Sequence, residues 1–287
     1  MQYLRFRFTG CTYEIFNCPG KWMGPEPLSK LQHRLKQIAR KRVGYTPNYS
    51  FFKDIRSLDN KVVTICSRED VDTGFNAMAT IGVYNNRPVI HLGAVFSISE
   101  NRGDMQLLYV WSCLFMVTLN RFRKIYFTSL THTPKIFGAV ANAFSNVFPS
   151  GVPDESPSRF HKDVREILIQ TYVTECNLKN RPEIDDNFIS KGFRALKDGT
   201  ILFPDTRESV PKHRLETFNR YCLNNLDYSR GDEVLQVGII KISNLFKNIR
   251  TLTKIFPSAH GRFSARRREP THPGTRQHKG DAIHQGF

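Results

Sequence analysis

Residues 75–120 read FNAMATIGVYNNRPVIHLGAVFSISENRGDMQLLYVWSCLFMVTLN. Phe75, Ala77, Ala79, Ile81 and Val83 recur at every second position, the period of a half-buried strand. Asn85-Asn86 tolerates the left-handed backbone of a tight hairpin turn. Ile90, Leu92, Ala94, Phe96 and Ile98 then alternate on the way back, so the spacing predicts a long antiparallel hairpin over Phe75–Ser99. A polar run, Glu100-Asn101-Arg102-Gly103, leads into a helix predicted over Asp104–Asn120. Leu107, Leu108, Val110, Trp111, Leu114, Phe115, Met116, Val117 and Leu119 make that helix apolar almost all round, and such a helix is buried on most sides.

Working outward, Val62–Cys66 is β-branched and apolar and reads as a preceding strand, with a polar turn over Ser67–Thr73. MQYLRFRFTGC at the N-terminus alternates apolar with basic and reads as a first strand. Leu28, Leu31, Leu35, Ile38 and Ala39 fall at helical spacing among Lys30, Arg34, Lys36, Arg40, Lys41 and Arg42, an amphipathic helix with a basic outer face. Downstream, Ile125–Leu130 is a further strand. Pro134 opens a helix lined by Ile136, Phe137, Val140, Ala143, Phe144 and Val147 and stopped by Pro149-Ser150-Gly151. Helices are expected over Arg159–Glu175, Val210–Leu226 and Ser243–Ile255, a hairpin over Phe188–Phe203 turning at Asp198-Gly199, and a strand over Val234–Ile242. Residues 261–287 lack periodicity and read as a disordered basic tail containing Arg266-Arg267-Arg268. The expected fold is α/β (α+β): a mixed, mostly antiparallel sheet flanked by helices. Residues 1–150 are expected to form the core, and 151–260 a C-terminal extension packed on it.

Composition bounds the partners. Of 287 residues, 40% are hydrophobic and 12% aromatic, enough for a sizeable core. The net charge of +16 attracts polyanions: nucleic acid, anionic lipid, a phosphorylated cofactor or an acidic carrier protein. The six cysteines form no C-x-x-C pair, so structural zinc is not expected and no metal site is predicted; Cys113 reads as a buried free thiol. The longest apolar run, Leu107–Leu119, is too short to span a bilayer, and the N-terminus lacks the apolar stretch of a secretion signal, so a reduced, cytoplasmic setting is expected. Walker loops, HExxH and the usual hydrolase orders are absent.

The chemistry concentrates where the long hairpin meets the buried helix. A strand feeding a loop and then a helix N-terminus leaves backbone N–H groups without partners, and the helix dipole favours an anion there. With these residues in view, Lys61–Phe148 resembles the GNAT N-acyltransferase family in its order: strand, long hairpin, polar loop, buried helix, strand, helix. The resemblance implies that the loop holds the pyrophosphate of coenzyme A on a R-G-x-G-x-G/A pattern. Arg102 and Gly103 match it, Asp104 brings a carboxylate close by, and Met105 and Leu107 stand where the family has small residues, with Gln106 between them. It further implies that backbone groups of Val95, Phe96, Ser97 and Ile98 bond the pantetheine arm. Thr131 stands where the family often has a cofactor-contacting Asn, and Phe137 lies near the position of its proton-donating Tyr.

By position, His91 and Glu100 are the candidate bases for an acceptor amine. The polar turn Asp227–Glu233 either holds a substrate amine or a cation, or only carries the chain. The implied activity is transfer of an acyl group from acyl-CoA to an amine. The chain also resembles GNAT-like enzymes with a weakened phosphate loop and extra C-terminal structure, which implies acyl carrier protein rather than coenzyme A as the donor, an acidic partner that a basic surface would dock. The alternative is a non-enzymatic basic protein that holds nucleic acid or an acidic partner on the same scaffold.

Overall fold

The computed structural model describes residues 1–47, 49–98, 104–175, 183–195, 201 and 204–255. In chain order the strands and helices are β1 (Tyr3–Phe8), β2 (Cys11–Asn17), α1 (Pro25–Val43), α2 (Ser50–Lys53), β3 (Lys61–Arg68), β4 (Val71–Tyr84), β5 (Arg87–Ser97) and α3 (Asp104–Leu119). They continue with β6 (Ile125–Thr131), α4 (Pro134–Ala143), β7 (Ser145–Phe148), α5 (Arg159–Glu175), β8 (Ile189–Ser190), α6 (Glu216–Asn225), β9 (Glu233–Ile240) and α7 (Ile242–Ile255).

The strands form a single sheet in the order β1-β2-β3-β4-β5-β6-β9-β7, with β8 on β9. Every pair is antiparallel except β5 with β6. Glu69-Asp70 and Asn85-Asn86 take positive φ at both positions, the turn geometry whose twist matches the strands it joins. The expected polar turn at 67–73 therefore shrinks to two residues, because β3 runs on to Arg68 and β4 starts at Val71. The long hairpin is present.

Successive residues choose opposite faces of the sheet. Val62, Met78, Ile90 and Phe127 pack against α3, α4 and α7. Val63, Ile65, Phe75 and Ala77 pack against α1 and α2. On that same second face, Val89, Tyr126, Leu235 and Val237 pack against α5. Trp111 on α3 meets Phe6 edge-on at 4.9 Å. Cys113 is a buried free thiol, raised above the ordinary thiol range by its burial. On α1, Arg34 reaches down to Asp72 at 2.8 Å and Glu14 at 2.6 Å, while Lys30, Arg40, Lys41 and Arg42 face solvent.

Several expectations are corrected. Strand β2 went unpredicted. The helix expected to reach Val147 stops at Ala143, and Ser145–Phe148 is a strand instead. Val147 packs on the α3 side and Phe148 on the α5 side, a two-residue period no helix can produce. The helix expected from Val210 starts at Glu216, because Pro211 disfavours a helical Val210 and that side chain is buried against α6. Residues 261–287 and the Asp198-Gly199 turn lie outside the described residues, although an isolated bridge joins Ala195 and Ile201. Strand β9, from the stretch expected to be a C-terminal extension, lies inside the sheet between β6 and β7. Among the described residues between β7 and β9, the chain adds to the sheet only the two-residue β8, which pairs with β9.

Candidate active site

Strands β5 and β6 pair only over Val89–His91 and Tyr126–Thr128. Beyond that point β5 stays with β4 as far as Ser97, and β6 stays with β9 as far as Thr131. Two strands that begin side by side thus end apart, leaving a slot through the sheet. Gly93 is the cause. Its φ is +39°, and two residues of β5, Leu92 and Gly93, stand against Met78 alone, a bulge that bends the strand. A Cβ at Gly93 would sit 2.0 Å from the Ala77 carbonyl oxygen, so only glycine fits. The bulge also inverts the strand: Ile90 and Leu92 face α3, whereas Ala94 and Phe96 face α1 and α2. The single alternation expected over Ile90–Ile98 is corrected accordingly.

Among the described residues, backbone groups on the slot edges are not consumed by a β5–β6 ladder. On the β5 edge, Val95 is half-buried toward α3 and Phe96 is buried toward α2. Ser97 is half-buried opposite Gly74, and the Ile98 amide donates to the Thr73 carbonyl at 2.9 Å. On the β6 edge, the buried Thr131 hydroxyl accepts from the Thr133 amide at 3.1 Å. Helix α3 begins at Asp104, with Met105 half-buried and Gln106 exposed in its first turn. Glu100, Arg102 and Gly103 lie outside the described residues. Phe137 is fully buried and stacks on Tyr221 with centroids 4.8 Å apart, so a packed ring occupies the region expected for a proton donor.

His91 stands at the throat, on the last paired rung. Its Nδ1 lies 2.9 Å from the Thr128 hydroxyl. Burial, and then the Lys61 charge, lower its pKa from 6.5 to about 4. The imidazole is therefore neutral near pH 7.

A second polar group gathers where β6 ends and β9 begins, unforeseen except for the Asp227–Glu233 turn. His132 Nε2 lies 2.8 Å from Asp205 Oδ2, and its Nδ1 lies 3.6 Å from Glu233 Oε1. Arg194, only 3% exposed, brings Nε to 4.0 Å from the same Glu233 oxygen. The Tyr228 hydroxyl donates to the His132 carbonyl at 3.0 Å. Burial works to raise the neighbouring Asp232 carboxyl. Arg230 and the Gly192 and Asp227 amides outweigh it and hold that group below the usual carboxylate range. Across the slot, Tyr49 sets its ring edge-on to Phe96 at 6.2 Å, and its phenol is raised by burial and then by the Glu233 charge. The cue available in sequence was a lone acid heading an apolar strand; its partners come from distant segments.

Among the described residues no His, Cys, Asp and Glu cluster is arranged to hold a metal ion. No helix among them is long and apolar enough to cross a membrane.

Comparison with protein-family models finds no match, and comparison with curated proteins finds none. Among solved structures, the chain is similar to Arabidopsis thaliana NAA60 in complex with acetyl-CoA. The identity is 15%, covering 42% of this chain and 76% of that one, with a TM-score of 0.29. It is also similar to Arabidopsis thaliana NAA60 in complex with a bisubstrate analogue, at 12% identity over 79% of this chain and 98% of that one, with a TM-score of 0.34.

Proposed function

We propose that the protein is an N-acyltransferase that binds an acyl thioester in the slot between β5 and β6 and passes the acyl group to an amine. The observation that carries this reading is the parting of the two strands above His91, beside the end from which α3 starts. The pantetheine arm would complete the ladder on the edge of Val95–Ile98, and the phosphates would lie on the amides after Arg102. The amine attacks the thioester carbonyl while a backbone N–H steadies the oxyanion. The donor is acyl-CoA, with acyl carrier protein as the alternative carrier of the same group.

A thermal-shift and calorimetric series with acetyl-CoA, a long-chain acyl-CoA, acyl carrier protein and RNA tests this. Stabilisation by a thioester supports the reading. Arg102→Ala is expected to weaken donor binding about tenfold or more, the loss of one charge-assisted phosphate contact. Unchanged donor affinity in that variant counts against the assignment. A second reading, a non-enzymatic basic binding protein, is favoured by the charge of +16 and by Phe137 in place of a phenol. Salt-dependent RNA binding without thioester binding would establish it instead.

A further inference from the structure

The slot opens on two unlike faces of the sheet. Helices α3 and α4 lie on one face, and both start at the end where β5 and β6 finish. Their N-termini make that side favourable to an anion. The opposite face carries the acid groups. Along β6 the alternation puts Tyr126, Thr128, Leu130 and His132 on the α5 side, and along β9 it puts Leu235 and Glu233 there. An anionic donor and a cationic acceptor are thus offered opposite sides of one opening.

We propose that the acceptor is a primary ammonium reaching the slot from the α1–α5 face, that Glu233 is the catalytic base for its nitrogen, and that His132 and Asp205 are positioning residues that pass the proton outward. This rests on the acyl-transfer reading above. Glu233 is nearly buried, whereas the Asp205 side chain is 32% exposed, so the chain of groups runs from the slot to water. Glu233 is faced by His132 from the position just after β6, Arg194 from the segment after β8, and Tyr49 from the segment before α2. His132 is faced in turn by Asp205, and its carbonyl accepts from Tyr228. His91 is the weaker candidate base, since its Nδ1 is engaged by Thr128.

The ammonium first gives one proton to the Glu233 carboxylate, which His132 relays to Asp205 and solvent. The freed lone pair then forms the C–N bond, and the carbonyl becomes an oxyanion. Glu233 takes the second nitrogen proton. Collapse restores the C=O bond and breaks the C–S bond. The thiolate leaves with the electron pair and takes a proton from solvent, so one proton is released per turnover.

The test measures thiol release from acetyl-CoA between pH 6 and pH 9, with spermidine and a short peptide bearing a free N-terminus as acceptors. Donor affinity is measured by calorimetry on the same samples. Glu233→Gln is expected to lose about 100-fold or more in turnover, within the range of general-base catalysis, with donor affinity unchanged. Raising the pH should partly restore it by supplying free amine. His132→Asn is expected to lose about tenfold and to displace the acidic limb of the profile, which a purely structural role would not do. Should Glu233→Gln fail to fold, Glu233→Asp keeps the charge, and intermediate turnover is expected. Full turnover and an unchanged profile in a folded Glu233→Gln protein overturn the assignment of the base. Wild-type protein that binds acetyl-CoA yet acylates neither amine overturns the acceptor assignment. Wild-type protein that binds no thioester overturns the acyl-transfer reading itself.

Discussion

At the scale of single residues, Gly93 decides whether a slot exists. Gly93→Val would place side-chain atoms against the Ala77 carbonyl in a backbone region that β-branched residues avoid. We expect a loss of about 3 kcal/mol or more, read as a lower urea midpoint, together with loss of thioester binding. The bulge was not foreseen because Ile90–Ile98 keeps a regular two-residue rhythm in sequence, and only the glycine interrupting it hinted at a bend. His91 gives a pH prediction. Its folded pKa of about 4 lies below the ordinary 6.5, so between those values the unfolded chain binds more protons than the native one. Stability should therefore fall as pH drops through that window. His91→Gln should flatten part of the slope in a denaturation series across pH 4–7, with His161 and His213, also lowered by burial, supplying a remainder.

At the scale of elements, α1 is tied to the sheet by Arg34, whose guanidinium joins Asp72 on β4 and Glu14 on β2. The arginine is part-buried and bonded to both carboxylates, so Arg34→Ala should cost about 1–3 kcal/mol by urea denaturation. Elements with long, uninterrupted patterns were legible: α1, the β4–β5 hairpin, α3 and α5 fall within a few residues of expectation. Short or unpatterned ones were not. Strand β7 has only four residues, and the apolar spacing before it fits a helix equally well, so the three-dimensional neighbours decided. The slot was legible as an order of elements. The His132, Asp205 and Glu233 group was not, because three separate segments supply it and no local period links them.

For the whole molecule, the sheet order interleaves distant parts of the chain, since β9 separates β6 from β7. A protein shortened to residues 1–150 would strip both strands of their common partner. Such a fragment is expected to show no cooperative thermal transition by circular dichroism, whereas the full chain should melt as a unit. Synthesis on the ribosome runs in one direction, so residues 145–148 emerge well before residues 233–240. Until then β6 and β7 lack the strand that lies between them in the finished sheet. The strand that fills the gap begins with Glu233. Completion of the sheet and arrival of Glu233 are one event, so a nascent chain that has not yet made β9 lacks both this carboxylate and the strand that shields the facing edges of β6 and β7 from edge-to-edge sticking.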